Sequence, residues 1–155
     1  MKNYIISVIT SIAALAPLWV DAGEGKSPTE MSTLQSSIGK VILSADSYLR
    51  YDHSDTNPFG ISQAFVIFKD EHQKNIKTLP VDQRVDYFWA GLWHLGLQGG
   101  YLTEFVELVS LDCADEFIKK LERYVKMEEK LQRNRTRLAI AKTILNNLKR
   151  LRANP

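Results

Sequence analysis

The sequence predicts an all-α protein, an irregular bundle of four to five helices with a long C-terminal helix. Three observations carry this. Apolar residues recur at spacings of three and four through most of the chain, as on one face of a helix. No stretch alternates apolar and polar residues as a half-buried strand does. Helix start and stop signals stand where the periodicity begins and ends. At 155 residues, 45% hydrophobic and 25% charged, the chain can bury one core of its own.

Residues 1–22 read as a secretory signal peptide. Lys2 is followed by an uncharged, mostly apolar run from Tyr4 to Val20, and Val20-Asp21-Ala22 offers small or aliphatic residues where a signal peptidase reads. An uncleaved anchor is the competing reading, and Pro17 argues against it. The expected product is a single helical domain over residues 23–155, periplasmic or secreted. Cys113 is its only cysteine, so no internal disulfide can form, and it reads as a small buried hydrophobe.

Ser27-Pro28-Thr29-Glu30 is a capping box with proline at the first helical position, and it starts a helix to about Arg50. Met31, Leu34, Ile38, Val41, Ile42, Ala45 and Leu49 form its apolar face. The stretch Asp52 to Gly60, DHSDTNPFG, is a turn-rich break. A second helix is predicted from Ile61 to Lys77, anchored by Phe65, Phe68 and Ile76, with His72 on its exposed side. A third runs from Pro80 to Gln98 and stops at Gly99-Gly100, where glycine adopts the left-handed conformation cheaply. A short fourth helix is expected from Thr103 to Val109.

Asp112 is expected to cap the last helix, with Asp115 and Glu116 in the first turn where the helix dipole favours negative charge. Phe117, Tyr124, Leu131, Leu138 and Leu145 then repeat every seven residues, and Met127, Ala141 and Leu148 add a second apolar position. Between Lys126 and Arg137 the helix is otherwise polar, so a break there is compatible with the pattern.

Charge is polarised along the chain. From Gly23 to Glu116 there are 7 Lys and Arg against 14 Asp and Glu, a balance of −7; from Phe117 to Pro155 there are 12 against 3, a balance of +9. Lys119, Lys120, Arg123, Lys126, Lys130, Arg133, Arg135 and Arg137 crowd the final helix and form the first candidate binding surface. Such a surface suits an acidic protein partner, the protein's own acidic half, or an anionic membrane or cell-wall surface. Nucleic acid would suit the charge as well, but the export signal argues against it.

The second candidate lies in YFWAGLWHLGLQGGY, residues 87–101. On a helical wheel its apolar residues cover more than half the circumference, which makes the helix central rather than membrane-spanning. Tyr87, Gly91, His94 and Gln98 share the remaining narrow stripe and could line a pocket or simply face water.

Catalytic and metal signatures are absent. His53 between Asp52 and Asp55 lacks the converging ligands a transition metal needs, and the calcium-loop pattern does not fit. Glu104 and Glu107 are spaced to face one site, as helix-surface carboxylates often are. No cofactor or metal is expected, and the chain reads as a non-enzyme.

From Tyr87 to Phe105 the chain resembles a family of small helical proteins that includes bacterial DNA mimics. In that family an aromatic-rich helix meets an Asn-Gly-Gly-aromatic turn followed by a further aromatic; here the turn is Gln98-Gly99-Gly100-Tyr101, followed by Phe105. The resemblance implies a helical, non-catalytic binding protein. DNA mimicry does not carry over, because the C-terminal half is basic. In kind, the small exported helical domain is similar to periplasmic immunity proteins. The expectation is therefore an immunity-type inhibitor of a cognate toxin, with the basic helix and the Asp52–Gly60 loop as contact surfaces. The alternatives are an envelope adaptor that oligomerises or binds anionic surfaces through the basic helix, and a hydrolase using Tyr87, His94 and the Glu104/Glu107 pair.

Overall fold

Proline at a first helical position has no N–H to leave unpaired, and α1 accordingly begins at that residue, running Pro28–Tyr51. The computed structural model describes residues 28–51 and 59–153, and side chains of residues 32–46 and 63–153. The signal-peptide segment 1–22 and the loop residues 52–58, including His53, lie outside the described residues.

The second helix, α2, spans Phe59–Glu71 and continues into a wider π-type segment, His72–Ile76. There the Lys77 amide donates to the His72 carbonyl at 2.9 Å, one residue further back than in an α-helix. Pro80 opens α3, Val81–His94, and its carbonyl accepts from the amides of Gln83 and Arg84 at 3.0 and 3.1 Å. Then follow α4, Gly99–Asp112, α5, Ala114–Leu131, and α6, Arg135–Ala153. Six helices and no strand stand among the described residues. The fold is all-α, and the helix count exceeds four to five because the expected long helix is two.

Four boundaries differ from the sequence reading for identifiable reasons. The third helix stops at His94 rather than Gln98, because Gly96, at φ +60°, already takes the left-handed stop conformation; Gly99 is left-handed as expected, at φ +52°, but stands at the start of the next helix. Gly99 and Gly100 instead open α4, which is twice the expected length. Asp112 does not cap the following helix. Cys113 occupies the cap position without a side-chain bond, and the Asp112 carboxylate turns inward to a longer-range pair. The C-terminal helix breaks at Gln132, a left-handed residue at φ +48°. Asn134 restarts it, its side-chain oxygen accepting from the Arg137 amide at 3.0 Å.

That break converts one heptad helix into an antiparallel α5–α6 hairpin. Phe117 and Leu121 of α5, and Ala141, Ile144, Leu145 and Leu148 of α6, are buried in it. Oppositely charged side chains lace the seam: Glu129–Lys142 and Glu122–Lys149, each at 2.7 Å, and Asp115–Arg152. The acidic partners recur every seven residues on α5.

At the centre, α2, α3, α4 and α5 contribute the fully buried rings of Phe68, Phe88, Phe105 and Phe117. Phe88 meets the other three edge-on at centroid distances of 5.6, 5.8 and 6.4 Å, the arrangement ring quadrupoles favour. Leu34, Val41 and Ala45 close the core from α1. No helix among the described residues is long and apolar enough to cross a membrane.

Candidate functional site

The stripe Tyr87, Gly91, His94 and Gln98 divides into two unlike parts. Tyr87 is almost wholly buried; its hydroxyl donates to the Phe68 carbonyl at 2.8 Å and its ring stacks on Phe68 at 4.8 Å. Burial pushes its phenol pKa up, with Glu71 adding. Gly91 lies against the same ring. A Cβ there would fall 2.5 Å from Phe68 Cε2, so the glycine exists for close helix packing. His94 and Gln98 are exposed, and Gln98 lies beyond the end of the helix. Two members are therefore core and two are surface. Local desolvation holds the His94 imidazole below the ordinary histidine value; Asp46 pulls against this and Arg137 reinforces it.

His72 is not the surface residue expected. It is 6% exposed, with Nε2 donating to Asp112 Oδ2, while Arg84 pairs with the other carboxylate oxygen. The signal was present: Phe65, Phe68, His72 and Ile76 follow one helical face at i, i+3, i+7 and i+11, and the charged neighbours in DEHQK obscured it. Beside this triad, Glu71 accepts from Ser37, Lys40 and Asn75, each at 2.8 Å. Burial alone would raise the Glu71 carboxyl, but the bonds from Lys40, Asn75 and Ser37 together hold it below the usual carboxylate range. Gln83 is fully buried, and neither of its amide atoms has a hydrogen-bond partner among the described residues.

Cys113 is buried as expected. Burial, followed by the adjacent Asp112 charge, pushes its thiol up to about 12, which leaves it protonated and inert at neutral pH. Glu104 pairs with Lys69 at 2.5 Å, whereas Glu107 is exposed. Among the described residues no hydrogen bond joins Tyr87, His94, Glu104 and Glu107, and no group of three His, Cys, Asp or Glu could hold a metal ion.

The basic residues sort by position around α5 and α6. Lys120 is held internally, pairing with Asp86 at 2.6 Å over the Trp89 ring. Arg133 reaches the buried Glu128 at 3.3 Å, and Arg137 lies over Trp93, 5.3 Å from the ring centroid. Lys119, Arg123, Lys126 and Lys130 are different. They follow one exposed stripe at spacings of four, three and four, and none has an ion pair among the described residues. Arg135 is exposed at the hairpin turn, also without an ion pair among them.

Beside that stripe lies an apolar surface that sequence reasoning missed. Met127 and Leu131 are 42% and 51% exposed, although the heptad placed both inside. They continue the face of Tyr124 at i+3 and i+7. Tyr124 packs on Trp93 and Trp89, each at 5.3 Å, and these two rings meet edge-on at 5.4 Å. Tyr124 and Trp93 are half-buried, so the trio reaches the surface as a fixed aromatic edge. Burial, then Glu128, raises the Tyr124 phenol, while Arg137 and Arg133 oppose the rise.

The fold and this surface describe a small all-α bundle in which, among the described residues, α5 carries a stripe of four unpaired cations. No protein-family model, curated protein or solved structure matches the chain.

Proposed function

We propose that the protein is an exported, non-catalytic helical binding protein that acts as an immunity-type inhibitor of a cognate bacterial toxin. The observation that carries this is the exposed α5 stripe of Lys119, Arg123, Lys126 and Lys130, unpaired among the described residues, on a hairpin where Asp115, Glu122 and Glu129 close on Arg152, Lys149 and Lys142. A rigid face of one sign steers and orients an oppositely charged partner without reorganising itself. The apolar run at residues 4–20 supplies the export half of the reading.

The test is genetic and biochemical together. Deleting the gene should sensitise cells to the product of an adjacent toxin-like gene, and the purified protein should form a stoichiometric complex with that product. Unchanged sensitivity on deletion together with no complex between the purified proteins overturns the reading.

A second reading directs the same stripe to an anionic envelope surface, as an adaptor would. Its oligomerising variant finds less support, because Phe117, Leu145, Ala141 and Leu148 of the heptad are occupied inside the hairpin. Hydrolysis through Tyr87, His94 and Glu104/Glu107 has the least support, since Tyr87 is committed to Phe68 and Glu104 to Lys69.

A further inference from the structure

We infer that the outer face of α5 is a docking site for an acidic, amphipathic protein segment, with Trp93, Tyr124, Met127 and Leu131 as its apolar floor and Arg123 and Lys130 as its charged rim. The inference rests on the binding-protein reading above and names the face and the chemistry of its occupant.

Three observations converge on this face. The floor is continuous: Trp93 touches Tyr124 at 5.3 Å, and Met127 and Leu131 follow Tyr124 along the same side of α5. Water meets it in the unbound protein, since Met127 and Leu131 are about half exposed and the rings partly so. Cations flank it on both sides. Arg137 lies over Trp93, and Arg123 and Lys130 stand one turn before and nearly one turn after Met127. The acids on α5 are directed elsewhere: Asp115, Glu122 and Glu129 to α6, and Glu128 to Arg133; Glu116 alone lies near the stripe's far end.

Complementarity therefore asks for carboxylates around an apolar centre. Aromatic rings and arginines at a partly desolvated position are the residue types on which binding energy concentrates. A protein surface suits this face better than a bilayer does. Interfacial helices immerse their whole apolar face by several ångströms, but the main apolar face of α5, with Phe117 and Leu121, is already sealed inside the bundle. Trp89 and Trp93 are locked edge-on and are not free to insert.

The chain has three tryptophans, so the full-length Trp19→Phe variant reports fluorescence from Trp89 and Trp93 alone. It is titrated with three probes: a synthetic helical peptide of glutamate and leucine, poly-L-glutamate, and phosphatidylglycerol vesicles. The expected result is a saturable emission shift with the Glu/Leu peptide and weaker binding of poly-L-glutamate. Arg123→Glu/Lys130→Glu should weaken the peptide by about ten-fold or more. Met127→Ser should weaken the peptide but leave poly-L-glutamate unchanged. All four positions substituted here are exposed or outside the described residues, so unchanged helical circular dichroism is expected of each variant.

The inference is overturned if the vesicles shift the emission and the peptide does not, if poly-L-glutamate binds as tightly as the peptide, or if the charge reversal leaves peptide affinity intact. A toxin complex undiminished by the charge reversal removes this face and spares the inhibitor reading. Failure of the parent protein to bind the toxin removes the inhibitor reading, whatever the peptides do.

Discussion

The molecule carries two ionic networks of opposite character. One lies between the helices of the N-terminal part, where His72, Arg84 and Asp112 close on each other with both His72 and Asp112 side chains under a tenth exposed. The other laces the α5–α6 seam, where Glu122–Lys149, Glu129–Lys142 and Asp115–Arg152 all stand about half exposed. The first joins segments 28 and 40 residues apart in sequence. The second joins the two arms of one hairpin. In the interior each group depends on its partner, because water cannot replace it; at the seam water is always the alternative partner. The interior network is therefore expected to govern whether the bundle forms, and the seam to tune how its last two helices lie.

The sharpest way to break this contrast is Asp112→Ala. It strands a buried imidazole and a part-buried guanidinium at once, and removal of one partner from a buried ionic group costs about 3–5 kcal/mol. Urea unfolding followed by circular dichroism should show a loss of that order. A loss under about 1 kcal/mol would place the network with the surface pairs.

The N-terminal part of the fold was legible where local chemistry determined it. Pro28 and Pro80 mark helix starts, and apolar periodicity placed Phe65, Phe68, Phe88 and Trp89 inside. What could not be read was the destination of polar groups. Asp112 has the right position to cap a helix, and nothing local says that a histidine 40 residues earlier will claim it. The hairpin was hidden for a different reason. A seven-residue repeat satisfies one continuous helix and two antiparallel ones equally, and Gln132 is neither glycine nor proline. The polar stretch from Lys126 to Arg137 left room for a break, and the cap chemistry of Asn134 was the further sign. The α5 cations were visible as a set, but which of them are internally paired depends on the fold. Exposure of Met127 and Leu131 depends on the fold in the same way: α6 packs on the side of α5 that carries Glu122 and Glu129, and Met127 and Leu131 lie on another side.

The pH response sharpens the comparison next. Glu71 has a folded pKa below its unfolded one, so the folded state holds its carboxylate preferentially. Its contribution is complete above the unfolded value of about 4.3 and disappears as pH falls through the lower folded value. The urea midpoint should therefore fall as the solution is acidified below about pH 4.3. Glu71→Gln should be less stable near neutral pH and should flatten that part of the profile. A profile identical to the parent's would show that Ser37, Lys40 and Asn75 do not discriminate the charged carboxylate.

At the seam the effects are smaller. A double-mutant cycle on Glu129→Ala and Lys142→Ala should give a coupling of about 0.2–1 kcal/mol that shrinks at high salt. The corresponding cycle on Arg84→Ala and Asp112→Ala should exceed it several-fold and change little with salt, because those groups are shielded from mobile ions. Equal couplings, or equal salt dependence, would erase the distinction between the two networks.

The smallest expected effect comes from the turn that makes the seam. Gln132 is the only non-glycine residue among those described with a positive φ, at 48°, a conformation in which its Cβ crowds the backbone. Gln132→Gly relieves that crowding and also loosens the unfolded chain, so the net gain should be about 0.5 kcal/mol. Its value lies in the sign. If the α5–α6 hairpin is the structure in solution, glycine stabilises it. If the two helices ran on as one, glycine at position 132 would interrupt a continuous helix and cost about 1 kcal/mol. A thermal midpoint raised by the substitution supports the hairpin, with Met127 and Leu131 left open to a partner; a lowered midpoint means that the heptad runs straight through.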